Sequence, residues 1–191
     1  TPSTVGLGDY VSKVAHNFTP LFKTQGLKLN VIDESGQCLV DVDKNKLNKV
    51  LTNLLGNAFK HSRDGGYVNV KIEAPKKDSI LICIEDNGVG IAAKHISYIF
   101  DRFYQGDLKA KGLGVGLALS KQLVDLHGGT ISVKSKKDAG TTFYIQLPLK
   151  QKNTVEGSKP KELITEYTIK PNVDFEKKNL NEESTILIIE D

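Results

Sequence analysis

Three short segments of this 191-residue chain place polar side chains and glycines where their types and spacing could do chemistry. In residues 53–61, Asn53, Asn57, Lys60 and His61 fall on one face of a helix by their spacing. An amphipathic helix ordinarily turns such a polar stripe to water, and taken alone this one reads as a solvated face opposite a Leu-rich core face. In Glu85-Asp86-Asn87-Gly88-Val89-Gly90-Ile91 a strand ends in a carboxylate followed by two glycines. Asp-Asn-Gly turns are common. A carboxylate held at a strand end can nevertheless accept from the amino group of an adenine, and glycines let a flat base approach the backbone. In Gly112-Leu113-Gly114-Val115-Gly116-Leu117, alternating glycines lead straight into a helix. Their backbone N–H groups and the positive end of the helix dipole together make an anion cradle, with a plain flexible loop as the alternative. The spacing is not that of a dinucleotide fingerprint, and no Gly-Lys-Ser/Thr closes it as a P-loop.

The elements that must position these residues follow from periodicity. Residues 9–25 carry Tyr10, Val11, Val14, Phe18, Leu21 and Phe22 at helical spacing, with Gly26 as the stop. Residues 27–32 and 38–42 read as two short strands forming a hairpin through the turn Glu34-Ser35-Gly36. Asp43 is the expected cap of a helix running to His61, with Leu47, Val50, Leu51, Leu54, Leu55 and Ala58 as its apolar face. Alternating strands are expected at 67–74 and 79–85, a short helix at 92–100, a helix at 114–127, and strands at 130–135 and 141–149. The expected fold is an α+β two-layer sandwich: a mixed, mostly antiparallel sheet packed on about three helices.

Composition narrows the function classes. With 39% hydrophobic and 26% charged residues and a net charge of +3, the chain has globular composition and no polyanion-binding signature, so nucleic acid is not an expected partner. No apolar run approaches a membrane span, and Thr1-Pro2-Ser3 is no signal-peptide start, so a soluble, cytoplasmic module without direct membrane contact is expected. Methionine is absent even at position 1, so the sequence reads as a piece of a longer protein. Cys38 and Cys83 read as reduced, buried thiols.

Taken together, the motifs make residues 1–149 resemble the histidine-kinase branch of the ATP-binding superfamily shared with gyrase, the mismatch-repair ATPases and the Hsp90 chaperones, with its Bergerat-type fold and flexible ATP lid. Residues 53–60 match its N box and Asp86-Asn87-Gly88-Val89-Gly90 its first Gly box. Ile99-Phe100-Asp101-Arg102-Phe103-Tyr104 matches its F box and residues 112–116 its second Gly box, while His127-Gly128-Gly129 and Gly140-Thr141-Thr142-Phe143 match the closing elements. The resemblance implies a protein-histidine kinase catalytic domain with ATP and Mg²⁺ as cofactors. It implies that Asn57 binds Mg²⁺, that Asn53, Asn57 and Lys60 serve catalysis, and that Asp86 reads the adenine amino group, Thr141 assisting through water. Gly88 and Gly90 would approach the base, and Gly112, Gly114, Gly116 and Leu117 would fold over the phosphates. Two positions depart from the pattern: His61 stands where many relatives have Tyr or Phe, and can itself stack on adenine, and Gln105 stands where relatives often have Arg. Hydrolytic members carry Glu where this chain has Asn53, whose amide cannot take a proton from water, so a histidine is the expected phosphate acceptor. A gyrase-type or Hsp90-type hydrolase and a scaffolding module without transfer activity are the alternatives.

None of His16, His61, His95 and His127 reads as that acceptor; His95 and His127 read as surface and helix-end residues. The acceptor is expected on a dimerising helical hairpin upstream of Thr1. Residues 150–184 read as a linker with an edge strand near 163–169. Residues 185–191, ending in Glu190-Asp191, resemble the first strand of a receiver domain, so a hybrid two-component kinase is expected. Their unpaired apolar edge is expected to pair with this chain's sheet or with a second copy.

Overall fold

The computed structural model describes residues 2–76, 78–105 and 114–149. Gly112 and Leu113, the 150–184 linker with its edge strand, and the 185–191 strand with its pairing all lie outside the described residues. The five-stranded sheet has the order β2-β4-β5-β7-β6, formed by β2 (Lys28–Asp33), β4 (Tyr67–Ile72), β5 (Ser79–Asp86), β6 (Thr130–Ser135) and β7 (Thr141–Pro148). The β2–β4 pair is parallel and the other pairs are antiparallel. Strand alternation sends Val68, Val70 and Ile72 of β4, Ile80, Ile82 and Ile84 of β5, and Phe143, Ile145 and Leu147 of β7 to one buried face. The same alternation carries Asp86 and Thr141 onto that face, directly opposite each other at the end of their strands.

Helices α1 (Leu7–His16), α3 (Lys44–His61) and α5 (Gly116–Asp125) form the second layer, with α3 packed between the other two. Asp43 caps α3 as its residue type suggests: its carboxylate accepts from the Lys46 amide at 3.1 Å and from Lys46 Nζ at 2.6 Å. The hydrogen bond from Lys46 holds the Asp43 carboxyl well below the usual carboxylate range. Leu47, Val50, Leu51, Leu54, Leu55 and Ala58 are buried along one stripe of α3, leaving Asn53 and Asn57 half-buried and Lys60 and His61 exposed. A short α4 (Ala93–Ile96) precedes the glycine segment.

Two expectations fail for identifiable reasons. The single helix over residues 9–25 is two helices, α1 and α2 (Thr19–Thr24), because a continuous helix would drive the Pro20 ring into the His16 carbonyl; Pro20 instead opens α2. The hairpin between residues 27–32 and 38–42 does not form. An extra strand, β1 (Ser3–Gly6), pairs with β3 (Leu39–Val42), and β2 pairs with β4 across the α3 crossover. A connection holding a helix of 18 residues allows that parallel pairing. At the turn, Ser35 N–H and Oγ both donate to Asp33 Oδ1, at 2.9 and 2.6 Å, which closes β2 with an Asx turn rather than a hairpin.

Candidate functional site

Asp86 lies at the centre of the site, 6% exposed at the last position of β5. Burial pushes its carboxyl above the ordinary carboxylate value, against the pull of the Gly88 and Thr141 backbone amides that donate to it. The Gly88 N–H donates to Oδ1 at 2.9 Å, so one carboxylate oxygen is held by the turn and the group is oriented for a donor from outside. Thr141 Oγ1 lies 3.0 Å from Ser135 Oγ, whose hydroxyl donates to the Gly140 carbonyl at 2.8 Å and accepts from the Ile91 amide at 2.8 Å. A cleft of about 300 Å³ opens here, lined by Glu85, Asp86, Ser135, Gly140 and Thr141 among others.

Gly88 and Gly90 are packed against backbone on the side where a side chain would sit. A methyl on Gly88 would overlap the His61 carbonyl oxygen, and one on Gly90 would overlap the Lys136 carbonyl oxygen; Gly140 is closed in the same way by the Asp86 carbonyl. These glycines let three backbone segments meet around Asp86. The Val89 amide donates to the His61 carbonyl at 3.0 Å and the Asp138 amide to the Val89 carbonyl at 2.7 Å, tying the turn to the end of α3 and to the β6–β7 loop.

The polar stripe of α3 faces the start of α5. Asn53 Nδ2 donates to Ser120 Oγ at 2.8 Å, and Gly116 sits so close to Asn53 that a methyl would overlap Oδ1. Asn57 follows one turn later, with Lys60 exposed beyond it. Among the described residues the first turn of α5 has no side-chain cap hydrogen bond, and amides at such a helix start suit an anion. Phe103 and Gly114 are tied to each other: the Phe103 amide donates to the Gly114 carbonyl at 2.9 Å. Phe103 takes the left-handed conformation, φ 64°, while 73% exposed. The tyrosine after it, Tyr104, reaches back to α4, its hydroxyl 2.5 Å from His95 Nδ1.

Asn53 and Gly116 meet where α3 packs on α5, with Asn57 one turn further along α3 and Leu117 next to Gly116, whereas Asp86 and Thr141 share one end of the sheet. Lys60 and His61 end α3 near the Gly88 turn. Sequence reasoning missed Ser120 and Ser135, which look like ordinary helix and strand polar residues until their partners are known. His127 stands at the end of α5, as expected, and is buried. Its Nδ1 lies 2.6 Å from the Leu123 carbonyl and its Nε2 accepts from the Asp43 amide at 3.1 Å. Cys38 and Cys83 are free, half-buried thiols, and burial pushes both up from the ordinary thiol value. Among the described residues no helix is long and apolar enough to cross a membrane.

Residues 42–151 match the family described as histidine kinase-, DNA gyrase B-, and HSP90-like ATPase. The chain is 39% identical over 117 residues to the sensor histidine kinase WalK of Bacillus subtilis, covering 59% of this chain and 19% of that protein. It is 36% identical over 155 residues to the hybrid signal transduction histidine kinase D of Dictyostelium discoideum, covering 77% of this chain and 10% of that protein. The chain thus spans a fifth or less of these relatives' lengths. The catalytic domain of histidine kinase ThkA superposes with a TM-score of 0.71 at 20% identity, over 78% of this chain and 99% of that one, and shares the fold. On the match across residues 42–151 and the two-layer architecture around Asp86, this chain belongs to the histidine kinase-, DNA gyrase B- and HSP90-like ATPase family, as an ATP-binding catalytic domain of the sensor histidine kinase type.

Proposed function

We propose that this chain binds Mg-ATP and passes its γ-phosphoryl group to a histidine on a helical hairpin of the full-length protein. The observation that carries this reading is Asp86: a buried carboxylate, one oxygen held by the Gly88 amide, at the sheet end where the C-terminus of α3 also arrives. Its remaining lone pairs suit the exocyclic amino group of adenine, with Thr141 assisting through water. From there the triphosphate runs toward the uncapped N-terminus of α5, past Gly114, Gly116 and Leu117, with Gly112 completing the lid. His61 stacks on the base edge and Lys60 supplies a cation beside the phosphates.

Asn57 fits a Mg²⁺ ion as a single neutral oxygen ligand. Among the described residues no group of three His, Cys, Asp or Glu side chains could hold a metal, so the remaining ligands come from phosphate oxygens and water, as is usual for this cation. Bound Mg²⁺ would neutralise charge developing on the phosphate oxygens. Asn53 bears no base, so water is not activated. The acceptor imidazole forms the new N–P bond as the bond to the β–γ bridging oxygen breaks and ADP leaves. We assign residues 1–149 to this domain, 150–184 to a linker and 185–191 to the start of a receiver domain in a hybrid, cytoplasmic signalling kinase. The similarity to a hybrid kinase of Dictyostelium discoideum supports that organisation.

Calorimetric titration with Mg-ATP tests the reading. Wild-type binding is expected to weaken at least tenfold in Asn57→Ala and in Asp86→Ala, with no steady release of inorganic phosphate. Unchanged affinity in both variants overturns the residue roles. Sustained phosphate release would move the chain to the hydrolytic branch of its family.

A further inference from the structure

Asn53 and Ser120 meet where α3 packs against α5, 67 positions apart in sequence. Ser120 is 1% exposed, and its hydroxyl oxygen accepts from Asn53 Nδ2 at 2.8 Å. That bond decides which way the amide points. Nδ2 faces Ser120, and Oδ1 is pressed against Gly116 in the first turn of α5, where no side chain larger than hydrogen fits without displacing it. Serine inside a helix ordinarily satisfies itself on the carbonyl one turn back; here its oxygen takes a donor from the neighbouring helix. Asn53 stands one helical turn before Asn57, and Gly116 heads the uncapped amides of α5. A single contact therefore joins the cation side of the nucleotide site to its phosphate side.

We propose that Ser120 is a positioning residue: by holding the Asn53 amide against Gly116, it sets the spacing between Asn57 and the α5 N-terminus, so that both helices grip one Mg-triphosphate. This rests on the Mg-ATP reading above. Ser120 touches no nucleotide in this arrangement and acts only through Asn53.

The test uses the whole chain, with Ser120→Ala, Asn53→Ala and the double variant titrated with Mg-ATP and separately with adenosine. Ser120→Ala is expected to weaken Mg-ATP about fivefold, the scale of one intramolecular hydrogen bond, while adenosine binding at Asp86 stays unchanged. In the Asn53→Ala background, Ser120→Ala is expected to cause no further loss. Gly116→Ala, which pushes Asn53 Oδ1 from the other side, should reproduce the selective loss. Equal losses for adenosine and Mg-ATP, additive losses in the double variant, or no loss at all overturn the proposal, because a residue that only packs the two helices gives one of those patterns. A wild-type chain that binds no Mg-ATP overturns the nucleotide reading together with this one. Wild-type binding with Ser120→Ala unaffected overturns the positioning alone.

Discussion

At the scale of single residues, Asp86 sets binding against stability. Its carboxyl is raised by burial, so the folded chain holds that proton to higher pH than the unfolded chain does. The sign follows from linkage: the group's contribution to stability is full below the unfolded carboxylate value of about 4 and is lost as pH rises through the folded value. Asp86→Asn keeps an oxygen for the Gly88 amide, 2.9 Å away in the wild type, and removes the buried charge. The variant is expected to melt a few degrees higher than wild type at pH 7, with the gap closing toward pH 4. It should bind Mg-ATP poorly, because the new NH₂ meets the adenine amino group donor to donor. Paired melting curves from pH 4 to 8 check this, and a gap that widens on acidification would contradict it. Asp43, the cap of α3, is depressed and works in the opposite sense, its contribution fading as pH falls below about 4, but it is common to both proteins and cancels in the difference.

At the scale of elements, what could be read from the sequence was what depends on near neighbours. The α3 helix was legible end to end, because Asp43 is a capping residue type and the Leu-rich stripe has one period. The strands at 67–72 and 130–135 were legible from alternation. The pairing of β2 and β3 was not, because pairing depends on which distant edge is free, and the four-residue β1 carries too little pattern to announce itself. Of the site, the polar stripe and the Asp86 turn were visible as types and spacing, whereas the contacts Asn53–Ser120 and Asp43–His127 join residues on different elements. The second contact solves a capping problem. Lys46 stands where a capping box would place Glu to receive the Asp43 amide, so that N–H is satisfied by His127 Nε2 instead. His127 must then carry its proton on Nδ1, donated to the Leu123 carbonyl at 2.6 Å, and it ties the start of α3 to the end of α5. His127→Leu strands the Asp43 amide in a buried place and is expected to cost about 1–3 kcal/mol in urea unfolding. An unchanged unfolding midpoint would remove the bridge from the account.

At the scale of the whole molecule, the arrangement fits the proposed role of a phosphate donor. Each of the four histidines is accounted for structurally. His127 is buried with both ring nitrogens engaged. His95 Nδ1 lies beside the Tyr104 hydroxyl, His16 Nδ1 lies 2.7 Å from the Ser12 carbonyl on α1, and His61 closes α3 beside the Asp86 turn. His61 is the nearest to the proposed nucleotide, yet a side chain stacked on adenine sits at the opposite end of ATP from the γ-phosphate and cannot attack it in line. Incubation with labelled Mg-ATP is therefore expected to leave this chain without acid-labile phosphate, although it binds the nucleotide. Adding the proposed acceptor hairpin as a separate polypeptide is expected to yield phosphohistidine on the hairpin, at a rate that falls with Asn57→Ala. Label appearing on His61 of the isolated chain would show that the γ-phosphate reaches the end of α3. The orientation of ATP assigned from Asp86 and the α5 N-terminus would then have to be reversed.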